Sequence, residues 1–134
     1  MTDTPAAAPR GVISLQTIAM PADTNWNGDI FGGWLVSQMD LAAGVAARRR
    51  AHGRVTTVAI DSMVFHEPVK VGEVLSCYTE VLRIGRTSMR INVEVWETAD
   101  PCQAPRKVTQ GEFTFVAIDE GGRPRPVPPE ACPA

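Results

Sequence analysis

One carboxylate in this sequence stands where an acid is hard to explain. Within a stretch of helical periodicity, Asp40 shares a face with Gly33, Val36, Ser37, Ala43, Gly44 and Ala47. A solvated face would carry Lys, Glu and Arg instead. An acid among small apolar residues costs free energy unless it is paired or used. Ionised, it can take a proton from water as a general base, or attack an electrophilic carbon itself. The plain alternative is a structural Asp bonded to a nearby backbone or hydroxyl group. A second group of residues precedes it: Asp23-Thr24-Asn25-Trp26-Asn27-Gly28-Asp29-Ile30-Phe31-Gly32-Gly33. Glycines at a helix start leave backbone N–H groups unshielded, and such groups attract negative charge. The oxyanion that forms when a carbonyl is attacked is such a charge, so Gly32 and Gly33 are candidate donors, with Asn25 as a side-chain donor. The plain alternative is again strong, because Asn, Asp and Gly are what turns contain.

The elements that must position these residues follow from periodicity. Residues 11–20 read as a first strand and residues 21–28 as a loop. A helix is expected over about residues 30–51, closed by His52-Gly53, with Arg48, Arg49 and Arg50 in its last turns where cations suit the dipole. Its stripe of Phe31, Trp34, Leu35, Ala42, Val45 and Ala46 is expected to meet a sheet. The opposite, small-residue face around Asp40 is expected to meet a partner chain. The period then changes to two, and strands are expected over residues 55–66, 74–84, 87–96 and 107–118. In the third of these, Met89, Ile91, Val93 and Val95 share one face and Arg90, Asn92, Glu94 and Trp96 the other. Short links favour antiparallel neighbours. The expected fold is α+β: a curled antiparallel sheet of about five strands wrapped around one long central helix.

Composition narrows the function. The chain has 134 residues, one domain's worth, with 44% hydrophobic and 21% charged residues. Its net charge of −2 gives no electrostatic case for nucleic acid or a membrane surface. No run approaches the ~20 apolar residues of a membrane span. The N-terminal residues have no basic start or apolar core, so no signal peptide is read there and a cytoplasmic location is expected. Cys77, Cys102 and Cys132 are far apart, without metal-ligand or CxxC spacing, and read as reduced thiols. Residues 1–9 and the Pro-rich residues 121–134 are expected to be loose tails flanking a domain over residues 10–120.

Taken in succession, several motifs resemble the YciA-type acyl-CoA thioesterases. They are Met20-Pro21-Ala22-Asp23-Thr24-Asn25, Asn27-Gly28, Phe31-Gly32-Gly33-Trp34 and Ser37-Gln38-Met39-Asp40. Further along come His52-Gly53-Arg54-Val55, the run from Phe65 to Gly72, Gly85-Arg86-Thr87-Ser88 and Glu112-Phe113-Thr114-Phe115-Val116-Ala117. The resemblance covers about residues 11–126. It implies a hot-dog fold and hydrolysis of acyl-CoA to a carboxylic acid and CoA, with broad acyl tolerance and no metal or organic cofactor. It also implies a homodimer, assembled further into a hexamer as a trimer of dimers. By position, Asp40 matches the catalytic carboxylate, Asn25 a polar residue assisting it, and Gly32 and Gly33 the amides that polarise the carbonyl. Arg86, Thr87 and Ser88 fall where relatives contact CoA. His66 is assigned no catalytic role.

Helix geometry adds a constraint. The nine residues from Phe31 to Asp40 span about 14 Å. Gly32 and Asp40 of one chain therefore do not both reach one carbonyl. Either the amides are not the oxyanion donors, or they come from a partner chain, giving two equal composite sites in a two-fold dimer. Two other readings share the fold. An acyl-CoA-binding module without turnover gains nothing from a buried acid beside a thioester. A hydratase usually pairs Asp with a His in the loop before the helix, and no His lies between Asp23 and Gly33.

Overall fold

The computed structural model describes residues 8–98 and 100–130. The chain runs β1 (Val12–Ile18), a 3-10 turn (Pro21–Asp23), α1 (Gly32–Ala51), β2 (Val55–Phe65), β3 (Val74–Ile84), β4 (Ser88–Glu97) and β5 (Arg106–Ala117). The strands form one antiparallel sheet in the order β1-β3-β4-β5-β2, against which α1 packs. Every element expected from periodicity is present, with ends displaced by one or two residues. Gly11 lies just before β1 at φ +96°, and a Cβ there would come within 2.1 Å of Thr79 O, so only glycine fits.

The helix is rotated relative to the expected faces. Its buried residues are Leu35, Met39, Ala42, Ala43, Ala47 and Ala51. Ala43 and Ala47, expected to face a partner, instead belong to the core of their own chain, while Phe31, expected to face the sheet, is exposed. Alanines at these positions let the sheet come close to the helix backbone. Hydrophobicity alone ranks larger residues higher and so misplaces the stripe. The helix ends at His52, which is itself left-handed (φ 53°), a position the sequence would have assigned to a glycine.

The core face of β4 is the expected one, with Met89, Ile91, Val93 and Val95 all buried. The other face of this central strand is covered too. Glu94 accepts from Trp96 Nε1 at 3.0 Å and from the Arg10 amide at 3.1 Å, and Lys107 Nζ lies 3.3 Å away. Burial alone raises the carboxyl's pKa, but these donors outweigh it and hold Glu94 below its ordinary value.

Residues 121–130, expected to be loose, are tied to the domain. The Arg125 amide donates to Ala117 O and the Val127 amide to Arg86 O, at 2.9 and 2.8 Å. Arg50 Nη1 donates to Pro128 O at 2.6 Å. The carboxy-terminal Cys132 and residues 1–7 of the expected N-terminal tail lie outside the described residues. No helix among the described residues is long and apolar enough to cross a membrane.

Candidate active site

The loop before α1 is held by its own polar groups. Asn25 Oδ1 accepts from the Asn27 and Asp29 amides at 2.9 and 3.1 Å, and the Asn25 amide donates to Asp29 O at 2.7 Å. With the side-chain oxygen so engaged, Asn25 Nδ2 is the end left to donate, and it has no acceptor among the described residues. The loop is also pinned from outside. The Phe31 amide donates to Asp23 O and the Ile30 amide to Val69 O, at 3.0 and 2.9 Å, and Asp29 pairs with Lys70.

The amides of Gly32 and Gly33 precede the first helical hydrogen bond, and neither has an acceptor among the described residues. A Cβ on Gly32 would lie 3.3 Å from the Phe65 ring, so glycine keeps that amide open beside a cavity of about 340 Å³. Asn25, Gly32, Leu35, Phe65, His66 and Val69 are among its lining residues. The loop and the helix start thus form one concave surface with free donors and apolar walls.

Asp40 lies elsewhere, eight residues further along the helix. It is half-buried, and Thr57 Oγ1 on β2 donates to its Oδ1 at 2.7 Å. The other oxygen, Oδ2, has no partner among the described residues. Asp40 opens on a second cavity of about 440 Å³, lined by Leu41, Gly44, Val45, Arg48, Val55 to Thr57 and Phe115. The two cavities share no lining residue. Asn25 and Gly32 are therefore brought together within a chain, and Asp40 is not brought to them.

Sequence reading missed Thr57. The only signal was the Thr56-Thr57 pair inside an apolar strand, and which of the two faces the helix depends on a register the sequence does not carry. Arg86, Thr87 and Ser88 form the turn between β3 and β4, where the Gly85 amide donates to Ser88 O at 2.8 Å. None of the three lines either cavity. Among the described residues no cluster of three or more His, Cys, Asp or Glu side chains is arranged to hold a metal ion.

One helix cradled by this five-stranded antiparallel sheet is the hot-dog fold. The family model of the thioesterase superfamily matches residues 27–102, more than half of the chain, and the chain belongs to that superfamily. Among its relatives is the acyl-CoA thioester hydrolase YciA of Salmonella typhimurium, 50% identical over 123 residues, covering 90% of this chain and 92% of the relative. A hexameric thioesterase from Yersinia pestis superposes with a TM-score of 0.86 at 48% identity, covering 91% of this chain and 99% of the other. An aspartate-to-alanine mutant of a hexameric broad specificity acyl-coenzyme A thioesterase superposes with a TM-score of 0.85 at 50% identity, covering 90% and 89%.

Proposed function

We propose that this protein is a broad-specificity acyl-CoA thioesterase whose active sites are each shared by two subunits. The observation that carries the shared site is the separation of the two cavities: one holds free amide donors without an acid, the other an oriented acid without those donors. Two chains related by a two-fold axis bring Gly32 and Asn25 of one against Asp40 of the other, twice.

The surface available for such a pairing differs from the one helix periodicity suggests. β2 is an edge strand of 11 residues, paired only with β5, and its Val58, Ile60, Val64 and Phe65 are exposed. Leu41 and Phe31 on α1 are exposed as well. A long apolar edge left open invites pairing with another copy. The hexameric relatives support assembly of such dimers into a hexamer.

In the shared site the thioester carbonyl lies between the two halves. Asp40, held through Oδ1 by Thr57, uses Oδ2 to take a proton from water as the water oxygen bonds to the carbonyl carbon. The partner's Gly32 and Gly33 amides and Asn25 Nδ2 stabilise the oxyanion, one well-placed donor being worth roughly 10²–10³ in rate. Collapse breaks the carbon–sulfur bond. The CoA thiolate leaves and takes the proton from Asp40, giving a carboxylic acid and CoA. Direct attack by Oδ2 would use the same geometry and pass through a mixed anhydride. A single turnover in ¹⁸O-water separates the two, because only the anhydride route leaves the first product unlabelled. The apolar cavity of Ile30, Leu35, Phe65 and Val69 suits the acyl group. The free thiols of Cys77 and Cys102 agree with action in the cytoplasm.

The test is thiol release from a panel running from acetyl- to palmitoyl-CoA, with and without EDTA. Turnover on several chain lengths, unaffected by the chelator, is expected. CoA binding without turnover on any of them would replace this reading with that of a binding module.

A further inference from the structure

The cavity at Asp40 does not end at its apolar walls. It shares Val45 and Arg48 with a neighbouring cavity, also about 440 Å³, lined by Arg49, His52 and Gly53. The two form one continuous groove along the helix. Its floor is a single helical stripe, since Asp40, Gly44, Arg48 and His52 recur every four residues, with Leu41, Val45 and Arg49 beside them. Gly44 keeps the middle of the groove shallow, and the start of β2, Val55 to Thr57, walls one side. The groove therefore begins at the reacting carboxylate and ends among cations.

Those cations are unengaged. Neighbouring arginines are all tied to backbone: Arg50 to Pro128 O, Arg54 to Asp119 O and Glu120 O, and Arg125 to Ile118 O and Ala51 O. Arg48 and Arg49 have no hydrogen bond or ion pair among the described residues. Both favour the helix C-terminus through its dipole, but that role is satisfied by any cation in the last turn and needs no groove. From Asp40 to Arg48 is eight residues, about 12 Å along the axis, a span that an extended pantetheine arm covers. Arg86, on the β3–β4 turn, lines neither part of the groove.

Building on the thioesterase reading, we infer that the groove holds the pantetheine arm of CoA, and that Arg48 and Arg49 bind its diphosphate. A guanidinium offers paired donors to phosphate oxygens and remains charged at all working pH values. Binding energy taken from this remote part of the substrate is spent on orienting the thioester at Asp40, so its loss appears in kcat/KM.

The experiment compares butyryl-CoA, butyryl-dephospho-CoA and butyryl-pantetheine on the assembled enzyme. In the wild type the two nucleotide-bearing substrates are preferred over butyryl-pantetheine. In the double variant Arg48→Ala/Arg49→Ala that preference in kcat/KM falls by about tenfold or more for both. In Arg86→Ala it keeps its wild-type size. An equal loss on all three substrates would reduce the two arginines to helix-end residues and overturn the inference. A loss confined to butyryl-CoA would mean that they bind the 3′-phosphate, and would also overturn it. So would a collapse of the preference in Arg86→Ala alone. If the wild type hydrolyses none of the three, the thioesterase reading fails. Calorimetric binding of CoA against pantetheine, in wild type and double variant, then decides the inference independently.

Discussion

Thr57 Oγ1 donates a hydrogen bond of 2.7 Å to Asp40 Oδ1, joining the first turn of β2 to the middle of the helix. This bond fixes which carboxylate oxygen is free and where it points. A positioned base differs from a merely present one by this kind of support.

Thr57→Val removes the hydroxyl and nearly preserves shape. A hydrogen bond to a charged group is worth about 1.5–3 kcal/mol, so kcat should fall roughly 10- to 100-fold. KM for acyl-CoA should move little, and Thr57→Ser should recover most of the loss. Steady-state kinetics of the two variants check this. A Thr57→Val enzyme with wild-type kcat would show that the bond does not orient the reacting oxygen.

The thiols should differ sharply in reactivity. Burial pushes the Cys77 thiol up to about 12, whereas Cys102 is exposed. Only the thiolate attacks alkylating reagents and disulfides. At pH 8 iodoacetamide should label Cys102 in the native protein and reach Cys77 only after unfolding, as read by peptide mass spectrometry. Cys77 also stays silent when released CoA is titrated with a thiol reagent. Native labelling of Cys77 would contradict the packing of β3.

Glu94 makes a pH prediction. Its carboxyl, buried against Trp96, Arg10 and Lys107, is held below its ordinary 4.5. A depressed carboxyl contributes stability that is fully present above the unfolded-state value and is lost as pH falls through the folded one. Glu94→Gln should therefore cost about 2 kcal/mol at neutral pH. The gap to wild type should narrow only below pH 4.5. Urea unfolding of both proteins from pH 7 downward tests it. A gap independent of pH would show that Glu94 acts through packing and not through charge.

Much of this architecture is written in local patterns. The switch from a helical period to a period of two after His52-Gly53 marks the boundary between α1 and β2, and β4 declares its core face through Met89, Ile91, Val93 and Val95. The helix orientation was not legible. Ala43 and Ala47 read as an empty face because their smallness, which lets the sheet approach, looks the same whichever neighbour does the approaching. Thr57 was hidden for a related reason: it meets Asp40 across 17 positions of chain, and only the closed sheet brings it there. The anchoring of residues 121–130 was hidden because prolines suggest loose chain, while the bonds that hold the segment come from distant carbonyls.

The central claim is that Asp40 performs the chemistry, and Asp40→Asn tests it most directly. The change keeps the size of the side chain and can still accept the Thr57 bond, but it removes the basic oxygen. Thiol release from butyryl-CoA should fall at least ~10²-fold in kcat, as expected for loss of a general base, with CoA affinity and oligomeric state retained. Near-normal turnover in the folded variant would make Asp40 a structural residue and place the reacting group elsewhere.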